Sequence, residues 1–256
     1  MSGLLNGKRG LVFGVANQRS IAWAVAELAR EHGARVGLGV QNERMLASVQ
    51  KITEGKDDYE FYIADLNEDE QIARCAEEVK ERMGSLDFLV HSVAFALREE
   101  LAGRFLDTSR EGFRVALETS AYSLVALVKG MESLLNEHAS IVTMTFLGSE
   151  RVFPGYNVMG VAKAALESAT RYLAYDLGKR GIRVNAVSPG PIQTVSARGV
   201  RDFSRIMDIV QEKAPLSYLS EQSHVAGTTL FLLSDLSRGI TGEVIFVDSG
   251  YRIVGI

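Results

Sequence analysis

The run Leu11-Val12-Phe13-Gly14-Val15-Ala16-Asn17-Gln18-Arg19-Ser20-Ile21-Ala22-Trp23-Ala24-Val25 decides the fold. Three apolar residues closed by a glycine read as a buried strand that ends in a turn. Ile21, Val25, Leu28 and Ala29 then recur at helical spacing, which predicts a helix over 20–32. Working outward, apolar runs predict further strands at 34–40, 59–64, 86–91, 140–146, 182–187 and 244–247. Helical periodicity covers 68–83, 108–135, 156–177 and 225–233. Strand and helix alternating in this way argue for a parallel sheet with helices on both faces. The expected architecture is α/β, a single doubly wound Rossmann-type domain over 1–256 with a seven-stranded sheet. Ligands of such sheets bind at the C-terminal strand ends, where the strand order switches.

Composition agrees with one domain of ordinary kind. The chain has 256 residues, 46% hydrophobic and 23% charged. A net charge of −4 gives no support for a nucleic-acid partner. Cys75 is the only cysteine, so no internal disulfide can form and a reducing, cytoplasmic setting fits. No apolar run has signal length at the start, and none reaches the length of a membrane span. No His, Cys, Asp and Glu cluster has metal-ligand spacing, so no metal is expected. Segment 193–213 breaks the alternation. It reads as an insertion over the site, partly helical from Asp202.

The strand ends suggest a dinucleotide site. Gly14 provides a residue without bulk where a backbone approaches a pyrophosphate, and the next helix offers free N–H groups. Ser20 can cap that helix. With one glycine this is not Gly-x-Gly-x-x-Gly. Gln41 stands where an acidic residue often binds the ribose, and Arg44 leaves a 2′-phosphate open. Asp65 can accept from an adenine amino group or serve as a helix N-terminal charge. Small residues at Ser92-Val93-Ala94 let a cofactor pass. His91 reads as a structural strand-end residue.

A second pattern carries chemistry. In Gly155-Tyr156-Asn157-Val158-Met159-Gly160-Val161-Ala162-Lys163, the tyrosine and lysine are seven apart. On a helix from 156 that places both on one face. An ammonium there would favour phenolate and make the phenol a better proton donor.

Together, Gly14…Ser20-Ile21, Ser92-Val93-Ala94-Phe95-Ala96, the Tyr156-to-Lys163 segment and Pro191-Ile192-Gln193-Thr194 resemble the bacterial enoyl-[acyl-carrier-protein] reductases. These form the divergent branch of the short-chain dehydrogenase/reductases. The likeness runs on through Ile240-Thr241-Gly242-Glu243 and Val247-Asp248-Ser249-Gly250. It is most specific in the six residues between Tyr156 and Lys163, where ordinary superfamily members have three.

The resemblance implies a cytoplasmic homotetramer that reduces a trans-2-enoyl thioester on acyl carrier protein, the last reductive step of fatty-acid elongation. The implied cofactor is NADH, with NADPH left open. Tyr156 would stabilise the enolate oxygen and Lys163 would hold the nicotinamide ribose. Gly14, Val15, Ser20, Ile21, Gln41, Asp65, Leu66, Ser92, Val93 and Ala94 would line the cofactor, together with Ile192, Gln193, Thr194, Val195 and Ser196. Ala96 and Phe146 would join Tyr156 along the acyl substrate, and 194–213 would be the substrate-binding loop. Arg198, Arg201, Arg205 and Lys213 would offer a basic rim to the acidic carrier. One departure stands out. Most bacterial members carry a second tyrosine ten residues before the catalytic one, where this chain has Phe146. A mycobacterial long-chain member shares the phenylalanine.

Two other readings stay open. A carbonyl reductase or alcohol dehydrogenase of the same superfamily wants a serine about a dozen residues before the tyrosine, whereas 141–146 offers only Thr143 and Thr145. A non-catalytic dinucleotide-binding module would have no need of both Tyr156 and Lys163.

Overall fold

The computed structural model describes residues 3–56, 59–194 and 203–255. Seven parallel strands form one sheet: β1 (Arg9–Phe13), β2 (Arg35–Val40), β3 (Tyr59–Ile63), β4 (Leu86–His91), β5 (Leu135–Met144), β6 (Arg183–Pro189) and β7 (Val244–Val247). Their order is β3-β2-β1-β4-β5-β6-β7. The strand order therefore switches between β1 and β4, which pair in parallel with Phe13 opposite His91. The helices are α1 (Ile21–Glu31), α2 (Glu43–Ile52), α3 (Asp69–Arg82), α4 (Arg110–Leu117), α5 (Ser123–Met131), α6 (Val158–Leu177), α7 (Phe203–Lys213) and α8 (Gln222–Leu233).

Period-two alternation along β1 sorts its side chains onto two cores. Leu11 and Phe13 join Leu89, Ile141 and Val184 under α3, α5 and α6, where Ile72, Leu127 and Leu166 are buried. Val12 joins Val36, Val90, Val142 and Val187 on the other face, under Ala22 and Val25 of α1 and Val225 and Leu232 of α8. Burying either face of a strand requires apolar residues on both, hence the near-continuous apolar runs in the sequence.

Four expectations need correction. The helix α2 was not anticipated. It is capped by Asn42, whose Oδ1 accepts from the Met45 amide at 3.0 Å. Met45, Leu46, Val49 and Ile52 supply a helical stripe, yet only Val49 is fully buried. The polar surroundings hid that stripe. The long helix expected over 108–135 is instead α4, a π-helical turn at Glu118–Tyr122, α5 and a 3₁₀ turn at Glu132–Leu134. Strand β5 then begins at Leu135 rather than at 140. Finally, α6 starts at Val158, so Tyr156 lies before the helix and not on its face.

Candidate active site

A cleft of about 410 Å³ opens at the C-terminal edge of the sheet, where β1 and β4 diverge. Gly14, Ser20, Ile21, Ser92, Val93 and Ala94 form one end. Gly14 makes the turn with φ +105, and a Cβ there would sit 2.1 Å from the Ser92 carbonyl oxygen. Close packing of the β1 and β4 exits thus demands glycine.

Ser20 occupies the N-cap of α1, but it does not cap the helix as expected. Its hydroxyl oxygen accepts from the Ala16 and Asn17 amides, both at 3.0 Å, and pins the loop instead. The first turn of α1 therefore keeps an uncapped N-terminus, and it holds no acidic residue. Free N–H groups and a positive helix end with no carboxylate nearby suit a bound phosphate. The donor set fits a dinucleotide.

The other expected cofactor residues divide. Ile192, Thr194 and Lys163 line the cleft, while Val15, Gln41, Asp65, Leu66 and Gln193 do not. Gln41 follows β2 and Asp65 follows β3, at the same sheet edge. Gln41 Nε2 donates to Asp65 Oδ2 at 2.8 Å, and Asp65 Oδ1 accepts from the Asn67 amide. Asp65 is therefore neither unpartnered nor the cap of α3, a place taken by Glu68. Val195, Ser196, Arg198 and Arg201 lie outside the described residues.

At the other end stand Tyr156 and Lys163, with Ala96 and Phe146. Tyr156 reaches the cleft from a turn after Pro154. The next residue, Asn157, carries φ +41 and is the N-cap of α6. That backbone is costly for a side chain other than glycine's. Asn157 Nδ2 donates to the carbonyls of Glu100 (3.3 Å) and Gly103 (3.4 Å), which helps to hold it. The Tyr156 ring meets Phe146 edge-on, with centroids 4.9 Å apart, and Phe146 in turn packs on Phe153 at 4.9 Å. Gly148 makes room for the phenol, since a Cβ would lie 2.6 Å from the Tyr156 ring.

The electrostatics differ from expectation. Burial pushes the Tyr156 phenol well above the ordinary tyrosine value, and the charge of Glu167 adds to the rise. Lys163 does not lower it, and Tyr156 stays a protonated hydrogen-bond donor. The Lys163 ammonium is itself buried, which pulls its pKa down to about 8 against an opposing pull from Glu167. Its Nζ donates to the Met144 carbonyl at 2.8 Å. An ammonium has three donors, so two remain for a ligand in the cleft.

His91 is structural. The Ser123 hydroxyl donates to the Thr119 carbonyl, so its oxygen accepts from His91 Nε2 at 2.8 Å. The neutral ring leaves Nδ1 to accept from the Thr143 hydroxyl at 3.0 Å, in competition with the His91 carbonyl at 3.1 Å. Full burial holds the ring neutral, with a pKa down at about 3.

Sequence reasoning missed part of the wall. Phe95, Arg98, Leu101, Phe153 and Met159 line the Tyr156 end, and Phe203 and Ile206 of α7 join them. Ser120, in the π-helical turn, clamps this wall by accepting from the Phe95 amide (2.9 Å) and donating to the Phe95 carbonyl (3.0 Å). Such turns often occur at functional sites, but no local signal in the sequence marks this one.

A family model described as "Enoyl-(Acyl carrier protein) reductase" matches residues 14–252. The NADH-dependent enoyl-[acyl-carrier-protein] reductase FabI of Bacillus cereus is 46% identical over 254 residues, covering 98% of this chain and 99% of its own. A NADH-dependent enoyl-[acyl-carrier-protein] reductase of Rhizobium meliloti is 46% identical over 255 residues, covering 100% of this chain and 94% of its own. Among solved structures, the Bacillus cereus enoyl-acyl carrier protein reductase with NADP+ and indole naphthyridinone superposes with a TM-score of 0.97 at 46% identity, over 99% of this chain and 100% of that one. The Aquifex aeolicus NADH enzyme superposes at 0.94 with 43% identity, over 99% of this chain and 100% of that one.

Proposed function

The chain belongs to the enoyl-[acyl-carrier-protein] reductase family, and from that premise we propose how its own residues carry the reaction. It is a NADH-dependent oxidoreductase of fatty-acid biosynthesis that acts on an enoyl thioester. When bound, reduced nicotinamide supplies a hydride to the β-carbon of the trans-2-enoyl group. Negative charge then builds on the thioester oxygen. The Tyr156 phenol, kept protonated by burial, donates to that oxygen as the charge develops. Lys163, with two donors left, would hold the nicotinamide ribose. The uncapped first turn of α1 would receive the pyrophosphate. Phe95, Leu101, Phe146, Phe153 and Met159 give the acyl chain an apolar wall.

The observation that carries this reading is one cleft holding a protonated Tyr156, a half-committed Lys163 and an apolar far wall. Carbonyl reduction is disfavoured by the hydroxyls of β5 and its exit. Thr143 is committed to His91, and Thr145 donates to Glu167 at 2.6 Å. Tyr156→Phe tests the assignment. Turnover should fall roughly 10²-fold, while NADH affinity, read by nicotinamide fluorescence, should stay within about twofold. Full activity in that variant would remove Tyr156 from the mechanism.

The carrier protein is taken to dock near α7, where Arg205 and Lys213 lie at the rim of 194–213, the proposed substrate-binding segment. Arg205→Glu should raise KM for carrier-bound substrate and spare a coenzyme A thioester; equal effects would oppose this docking. A cytoplasmic homotetramer is also proposed. No helix among the described residues is long and apolar enough to cross a membrane. Tyr172 and Tyr175 stand exposed on α6, as expected of a surface that another subunit covers.

A further inference from the structure

Glu167 is a carboxylate in a place where charge is costly. It is 7% exposed and sits on α6 four residues after Lys163, so the two share a helix face. They grip consecutive residues at the exit of β5. Lys163 Nζ donates to the Met144 carbonyl at 2.8 Å, and the buried Thr145 hydroxyl donates to Glu167 Oε1 at 2.6 Å. The Thr145 amide donates in turn to the Val187 carbonyl of β6 at 2.8 Å. Both Met144 and Thr145 line the cleft. A buried carboxylate is retained at a cost, and a charge-assisted bond of this length fixes geometry.

We propose that Glu167 is the positioning residue of this site: its buried carboxylate locks Thr145 and the β5 exit against α6, so that the Lys163 ammonium is held aimed into the cleft. The inference rests on reading that cleft as the nicotinamide site. It has a second consequence, through charge. Burial draws the Lys163 pKa down to about 8, and Glu167 is the group that opposes it. Without that negative charge, Lys163 loses its proton at lower pH.

The neighbouring ionisable groups leave this window clear. His91 on β4 is neutral, and Tyr156 titrates far above it. Arg98 also lines the cleft. Glu118 in the π-helical turn and Glu111 on α4 are taken by Arg114. Arg183 on β6 donates to Ser237 and to the Ser234 carbonyl.

The test is NADH affinity against pH, from about pH 6 to about pH 9.5, read by nicotinamide fluorescence on the full chain. Wild type should weaken through about pH 8. E167Q keeps an acceptor for Thr145 but removes the charge, so its alkaline limb should move toward acid by about one pH unit. E167D should restore the limb. T145A keeps the charge and loses the bond, so it should weaken NADH about fivefold with the limb in place. Superimposable limbs in wild type and E167Q would overturn the proposal. If E167Q does not fold, T145A and E167D decide it: wild-type affinity in T145A, or a limb in E167D that moves as far as one pH unit, would overturn it. Wild type that fails to bind NADH at any pH would instead sink the reading of the cleft.

Discussion

At the β1 end of the cleft the backbone sets the geometry; at the β5 end buried polar side chains do. Gly14 bends the chain where no Cβ fits, and the hydroxyl of Ser20 ties down the loop behind it. The first turn of α1 is left with bare N–H groups. At the β5 end, Lys163, Glu167, Thr145 and His91 are all buried, and each is matched by a specific partner. The contrast fits the roles proposed for the two ends. A phosphate is held by dipoles that cost little to leave in solvent, whereas a developing enolate needs proton donors in a dry place. The β1 end should thus be broken by sterics, and the β5 end by changes of charge.

Gly14→Val gives the largest effect. The side chain meets the Ser92 carbonyl at a backbone conformation that valine avoids. Stability should fall by about 3 kcal/mol, and NADH affinity by more than about 10²-fold as the loop shifts. Denaturant titration and fluorescence binding check both. Undiminished binding would show that the turn is not what shapes the phosphate site.

Lys163→Met sharpens the contrast by separating stability from function. The lowered pKa means that, below about pH 8, the folded state bears the cost of a buried charge. Between about pH 8 and the ordinary lysine value the unfolded chain binds more protons, so wild-type stability rises with pH in that window. The variant loses turnover yet should gain about 2 kcal/mol at neutral pH, net of the lost bond to Met144. In calorimetry that is a Tm higher by about 5 °C. The gain should vanish toward about pH 10.5. A Tm that drops at neutral pH would mean that the ammonium's contacts outweigh its desolvation.

Phe146→Tyr should do least. The ring packs on Phe153 and Tyr156, and a hydroxyl added there faces an otherwise apolar wall. Turnover of a short enoyl thioester should change less than about threefold. A larger shift for a long acyl chain than for a short one would mark position 146 as a reader of chain length.

Legibility in the sequence followed the same division. Strands buried on both faces announce themselves as apolar runs, so all seven were placed, and Gly14 marked the turn. The Tyr156-to-Lys163 spacing pointed to two residues that do line one cleft, though not through the shared helix face it predicted. The helix begins only after Asn157, and a turn rather than a shared face brings the phenol in. That depends on contacts with Glu100 and Gly103, more than fifty residues away. The sign of the Tyr156 shift was equally hidden, because the burial that raises it and the Glu167 charge that adds to it arise only in the fold. Helix α2 was missed although its stripe and its Asn42 cap were present, since little of it is buried. Ser120 and Glu167 could not be singled out. A serine in a π-helical turn and a glutamate on a helix look like solvated polar residues until the fold buries them.

The most direct test supplies NADH deuterated at the transferring position together with a crotonyl thioester, and locates the label in the product by mass spectrometry and NMR. Enoyl reduction predicts a saturated thioester with deuterium on the β-carbon, from wild type and, far more slowly, from Tyr156→Phe. Deuterium on the former carbonyl carbon, in an aldehyde or alcohol, would contradict the account, as would NADH that binds but is never oxidised by any enoyl thioester.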